Sequence, residues 1–168
     1  MLLIAPRGSL LAQAGFEEYR LKAAFVYRFP QFVEWPPSVI QSSSTVDVCV
    51  LAPNPFGDEL RTLVQGETLA GRALRVREIG NADGLAGCQA LFASSKSDTA
   101  PILKAAAGRP ILTIGEGDQF LDRGGIISLK VVDRKVRFDV DASNAQKAGL
   151  RLDAQLLNLA ASVRGGPS

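Results

Sequence analysis

Val46-Asp47-Val48-Cys49-Val50-Leu51-Ala52, residues 46–52, is the stretch on which the fold turns. Valines at 46, 48 and 50 alternate with Asp47, Cys49 and Leu51, the two-residue period of a β-strand, and Pro53-Asn54-Pro55 ends the run. A helix is expected next, over Phe56–Gln65. Arg72–Ile79 alternates Leu74 and Val76 with Arg75 and Arg77, which predicts a second and more exposed strand. Cys88–Ala93 predicts a third, shorter and more apolar. Thr99 is placed to cap a helix with Pro101 in its first turn and Gly108 past its end, and Pro110–Ile114 follows as a fourth strand. Short apolar strands alternating with short helices mark a parallel sheet covered on both faces. The fold class expected is therefore α/β, a three-layer α/β/α sandwich with a mostly parallel sheet.

The pattern changes after Gly124-Gly125. Ile126–Val132 and Lys135–Val140 flank Asp133-Arg134 as the two strands of a late antiparallel hairpin. A C-terminal helix is read from Leu152, Leu156, Leu159 and Val163, with Asp153 as N-cap and Gly165-Gly166-Pro167 as terminator. Upstream of the first strand, Leu21, Phe25, Phe29, Phe32 and Val33 recur at near-helical spacing from Phe16 to Trp35. Pro30 should kink that opening helix and Pro36-Pro37 should end it. Its Phe and Trp residues read as core.

Residues 1–15, MLLIAPRGSLLAQAG, carry apolar stretches at Leu2–Ala5 and Leu10–Ala12 and a small-x-small signature, Ala12-Gln13-Ala14. They read as a truncated signal-peptide-like segment cleaved after Ala14, or as a disordered tail. A single domain is expected over residues 16–164, with residues 165–168 as a flexible C-terminus. No later stretch approaches the roughly 20 apolar residues that cross a bilayer.

Composition narrows the chemistry. Nineteen Lys and Arg nearly balance seventeen Asp and Glu, and the cations are scattered, which argues against nucleic acid. Histidine is absent, removing the commonest general base and metal ligand. Cys49 and Cys88 are the only two cysteines; they have neither CxxC nor metal-ligand spacing. Buried free thiols are one reading of them. An exported chain with an even cysteine count favours the other, a disulfide, which would stabilise by about 4 kcal/mol on the chain-entropy model.

Ligands of α/β folds bind at the C-terminal ends of parallel strands. Asn54 and Ser94 stand where a phosphoacceptor domain would need carboxylates for magnesium. Ser94-Ser95-Lys96-Ser97 contains a serine and a lysine with no arguable oxyanion donor, so a polar loop explains it better than a hydrolase. Gly115-Glu116-Gly117-Asp118 lacks the third glycine of a dinucleotide fingerprint, and its two carboxylates repel an anion. Asp139 and Asp141 share a strand face, where Arg134, Lys135 and Arg137 are expected to pair with them rather than a cation. No catalytic residue, metal site or cofactor is read from the chain.

One ordered set of segments carries a resemblance: Leu21-Lys22-Ala23-Ala24-Phe25 with Phe32-Val33-Glu34-Trp35-Pro36, Pro55-Phe56-Gly57, Cys88, Leu112-Thr113-Ile114-Gly115, and Phe120 with Gly124-Gly125. It continues with Val136-Arg137-Phe138-Asp139-Val140, Ala148-Gly149-Leu150 and Leu156-Leu157-Asn158-Leu159-Ala160. Taken in order, these resemble the YfiR-type periplasmic proteins across almost the whole chain after the leader-like segment. The resemblance implies a non-enzymatic periplasmic homodimer that represses a membrane diguanylate cyclase of the YfiN type by binding its periplasmic sensor portion. An outer-membrane lipoprotein of the YfiB type would relieve that repression. It implies that Cys49 and Cys88 form a family disulfide, whereas Arg123 and Lys130 lie near the expected positions of a second bridge that is missing. It points to the hairpin strands and C-terminal segment as the partner face, here including Leu129, Asp141 and Lys147. Arg151 could serve the small-ligand binding of some members, which also uses a histidine this chain lacks. The alternative expectation is a periplasmic small-molecule-binding sensor module, with the strand-end loops forming its pocket and another membrane protein as its target.

Overall fold

The computed structural model describes residues 7–166. In chain order the elements are α1 (Arg7–Arg28), a 3₁₀ turn (Phe29–Phe32), β1 (Val33–Glu34), α2 (Pro37–Gln41), β2 (Thr45–Leu51), α3 (Glu59–Val64), β3 (Thr68–Leu69) and β4 (Arg72–Ile79). After a second 3₁₀ turn (Ala82–Leu85) come β5 (Ala90–Ala93), α4 (Thr99–Ala106), β6 (Leu112–Glu116), β7 (Ile127–Val132), β8 (Lys135–Asp141), α5 (Ala142–Lys147), β9 (Arg151–Leu152), α6 (Ala154–Leu159) and β10 (Ser162–Arg164).

Eight strands form one sheet in the order β10-β8-β7-β6-β5-β2-β4-β3, and β1 pairs with β9 in a separate two-stranded ribbon. Contacts among β4, β2, β5, β6 and β7 are parallel, as is that of β10 with β8; β3 is antiparallel to β4, and β8 to β7. The alternation in 46–51 sorts the core onto both faces of this sheet, as period-two side chains must. Val46, Val48 and Val50 join the larger cluster with α1 and α3, while Cys49 and Leu51 face Leu85, Ile102 and Ala106 on the opposite side. The α/β class, the mostly parallel sheet and the late hairpin are therefore as expected from the sequence.

Several boundaries differ, each for a physical reason. The opening helix begins at Arg7 and ends at Arg28; Pro30, which has no N–H, sits in the first turn of the 3₁₀ segment that follows. Residues 7–15 of the leader-like segment continue that helix, and Leu2–Ala5 lies outside the described residues. Pro37 starts α2, because its fixed φ suits a first helical position. The helix expected over 56–65 is confined to Glu59–Val64, since the Phe56 N–H is held instead by the Asn54 side chain at 2.8 Å. Asp98, not Thr99, is the N-cap residue of α4. The hairpin turns at Asp133-Arg134 with both residues at positive φ, +50° and +65°.

The largest difference lies at the C-terminus. Asp153 caps α6 through Gln155 N–H at 2.7 Å, but the helix stops at Leu159 and the chain returns as β10, parallel to β8. The expected terminator Gly165-Gly166 therefore follows a strand, and Pro167 lies outside the described residues. The carboxylates of β8 are consequently taken by partners other than those expected. Asp139 accepts from Lys130 at 2.9–3.0 Å and from the Ser162 hydroxyl, and Asp141 accepts from Asn144 N–H and from Arg164, each at 2.9 Å. Arg134, Lys135 and Arg137 pair with neither.

Candidate partner-binding surface

At the end of β6 the chain itself fills the strand-end crevice, while a cavity of about 310 Å³ stays open at the ends of β2 and β4, lined by Leu51, Ala52, Gly80 and Asp98 among others. Glu116, at the end of β6, accepts the Ser95 N–H at 2.9 Å and the Tyr19 hydroxyl at 3.2 Å, and it pairs with the Lys22 ammonium, which also meets Glu18. Lys22 is buried, and α1 carries both it and Tyr19 across the sheet to this point. Burial first, and the Glu116 carboxylate second, push the Tyr19 phenol far above its ordinary pKa. Ser94 is buried too; its Oγ lies 3.5 Å from Ser97 Oγ and accepts the Lys96 N–H, while Ser97 donates to the Ala52 carbonyl. These hydroxyls hold the loop together. Among the described residues no group of three or more His, Cys, Asp or Glu is gathered for a metal.

The two cysteines form a disulfide between β2 and the loop ahead of β5, with Cα atoms 5.9 Å apart. Beside it, Arg77 donates to the Gly84 and Ala86 carbonyls and contacts Cys88 Sγ at 3.3 Å. Arg77 and Arg75 both reach the buried carboxylate of Asp47, at 3.3 and 2.7 Å. Burial by itself would raise the Asp47 carboxyl, but hydrogen bonds from Arg75 and Thr45 and the two guanidinium charges hold it below the usual carboxylate range.

The residues expected at a partner face are scattered by the fold. Leu129, on β7, is only 1% exposed and lies opposite Phe138 in the core. Asp141 is buried as the N-cap of α5, so it shapes the surface rather than forming it. Lys147, at the other end of α5, is exposed and lines a cavity of about 370 Å³ with Arg123, Asp122 and Ile111. Arg151 is exposed on β9, on a cleft of about 540 Å³ with Gln31, Glu34, Asp153 and Leu157. Asp141 and Lys147 are thus brought to one short element, whereas Leu129 and Arg151 are not.

Reading the aromatic residues of the first helix wholly as core misses an open apolar groove. Phe25, Phe29 and Phe138 pack in tilted and edge-on pairs with ring centroids 4.9–6.0 Å apart. With Ala24, Phe32, Leu156 and Leu159 they line a cavity of about 330 Å³ in which Arg28 is the one charged lining residue. Leu159 is 64% exposed beside it, and Leu21 on α1 is 48% exposed. The available signal was the length of the apolar stripe: Leu21 and Phe25 on α1 are continued by Phe29 and Phe32 in the 3₁₀ turn.

No helix of the described residues is long and apolar enough to cross a membrane. A solved structure described as a conserved domain protein from Vibrio cholerae O1 biovar El Tor matches at 12% identity and a TM-score of 0.47, over 76% of this chain and 57% of that one. This chain thus spans a little over half of that protein. The model of the YfiR/HmsC-like family matches residues 19–161, from the α1 residues that fill the crevice to the loop before β10. The chain belongs to the YfiR/HmsC-like family.

Proposed function

We propose that this chain is a non-enzymatic periplasmic regulator that docks on the periplasmic sensor portion of a YfiN-type membrane diguanylate cyclase and holds it inactive. Membership of the YfiR/HmsC-like family goes with periplasmic regulation of diguanylate cyclase signalling in general. The observation that carries the docking itself is the groove between α1 and α6, apolar, open and flanked by the exposed Leu159. Exposed apolar surface of this kind marks contact with another protein. The disulfide suits an oxidising compartment. At the end of β6 the space where a parallel sheet could seat a ligand is taken by Lys22 and Tyr19.

Repression then works by population shift: the regulator must bind the inactive arrangement of the cyclase more tightly than the active one. Homodimerisation and relief by a YfiB-type outer-membrane lipoprotein belong to the same proposal, with the exposed Lys147 on the face that either partner would meet and the buried Asp141 holding the helix that carries it. Deleting the gene should raise cyclic-di-GMP, and a chain carrying Leu159→Asp should fold normally yet fail to restore repression. Unchanged nucleotide on deletion would refute the reading. The cleft beside Arg151 favours a second reading, a small-molecule sensor module, which predicts a ligand-dependent rise in Tm that Arg151→Ala abolishes.

A further inference from the structure

The β7–β8 hairpin outruns the sheet that carries it. On one side β6 pairs with β7 only as far as Leu129, and on the other β10 meets β8 only from Asp139. Lys130–Arg137 is therefore a two-stranded ribbon with no neighbour on either flank. Its register, Lys130↔Arg137, Val131↔Val136 and Val132↔Lys135, sorts the side chains. Val131 and Val136 occupy one face, continuing outward from buried Leu129 and Phe138, while Val132 sits on the other among Lys130, Lys135 and Arg137.

Val131 is 47% and Val132 44% exposed, so aliphatic surface is presented on both sides of a thin blade. Four basic residues stand in this segment against one acidic residue, Asp133. Lys130 is matched by Asp139; Arg134, Lys135 and Arg137 form no ion pair among the described residues. A flat protein interface would use one face of such a ribbon. A medium that surrounds the tip, wetting cations and taking up aliphatic groups at the same depth, uses both.

We propose that the tip of the β7–β8 hairpin is a membrane-docking element: Arg134, Lys135 and Arg137 bind the headgroups of an anionic phospholipid bilayer while Val131 and Val132 enter its interface. The proposal stands apart from the cyclase reading, because protein-free vesicles test it. The full chain is sedimented with vesicles of phosphatidylethanolamine and phosphatidylglycerol, and with neutral phosphatidylcholine vesicles. Partition onto the anionic vesicles only, declining as salt rises, is expected. Arg134→Glu with Lys135→Glu and Arg137→Glu should weaken it on the order of 100-fold, and Val131→Ser with Val132→Ser about tenfold. All these positions are exposed or half-exposed, so circular dichroism and Tm should stay close to those of the unaltered chain. Because every variant keeps the leucine-rich N-terminus, the comparison isolates the hairpin. Failure to partition onto anionic vesicles, partition that the triple variant retains, or equal partition onto neutral vesicles would each overturn the proposal. A hairpin that instead docks on an acidic protein surface would give the first of these results.

Discussion

Asp47 concentrates the charge chemistry on one face of the sheet. Its carboxyl is held below its ordinary pKa in the folded chain, so it contributes stability that is present above about pH 4 and is lost as pH falls through the lower folded value. Asp47→Asn should cost about 2 kcal/mol at neutral pH and flatten the acid limb of a stability-against-pH curve measured by urea titration. The exposure of Arg75 keeps the cost below that of a fully buried pair. Gly115 and Gly125 obey a different constraint, for they clasp the Phe120 ring from two sides and a Cβ on either would overlap it. Gly115→Ala is expected to lower stability by about 3 kcal/mol, and Phe120→Leu in that background to restore part of the loss. Thermal melts of the two single variants and the double variant check the coupling.

Among the elements, α1 is the one whose position decides what the molecule can bind. Lys22 and Glu116 lie 94 residues apart in sequence and meet in a buried pair that closes the β6 end of the edge where parallel sheets usually take ligands. Glu116→Gln should cost about 3 kcal/mol, because it leaves the Lys22 ammonium buried with only Glu18 for compensation, whereas Lys22→Met with Glu116→Leu should recover most of it. Chemical denaturation of these two variants and the unaltered chain gives the comparison. The hairpin shows how local chemistry reaches only part of the way. Asp133-Arg134 specified the turn and the pairing of its strands, but not how far the ribbon projects, since that depends on where β6 and β10 stop. The strand β10 was illegible for a related reason: its three residues are exposed on both faces, so they carry no alternation, and they follow a helical pattern without a break.

At the scale of the whole molecule, the disulfide ties β2 to the loop that leads into its neighbour β5. Cys49→Ser with Cys88→Ser should lower the unfolding free energy by about 4 kcal/mol, most of it by enlarging the unfolded ensemble. Guanidinium titration of the oxidised and the altered chain measures that difference. The same variant should leave the groove between α1 and α6 in place, because its Phe residues belong to the other side of the sheet.

The amino-acid sequence by itself determined the α/β class, the central strands, the hairpin and the family, because period-two alternation, turn residues and capping residues act within a few positions of one another. It determined no binding surface. Which phenylalanines are covered, that Leu129 is inside, that Lys22 reaches Glu116 and that the hairpin stands clear of its neighbours were decided only when distant segments packed. Burial and charge pairing depend on the residues that arrive from elsewhere in the chain, and local spacing carries no record of them.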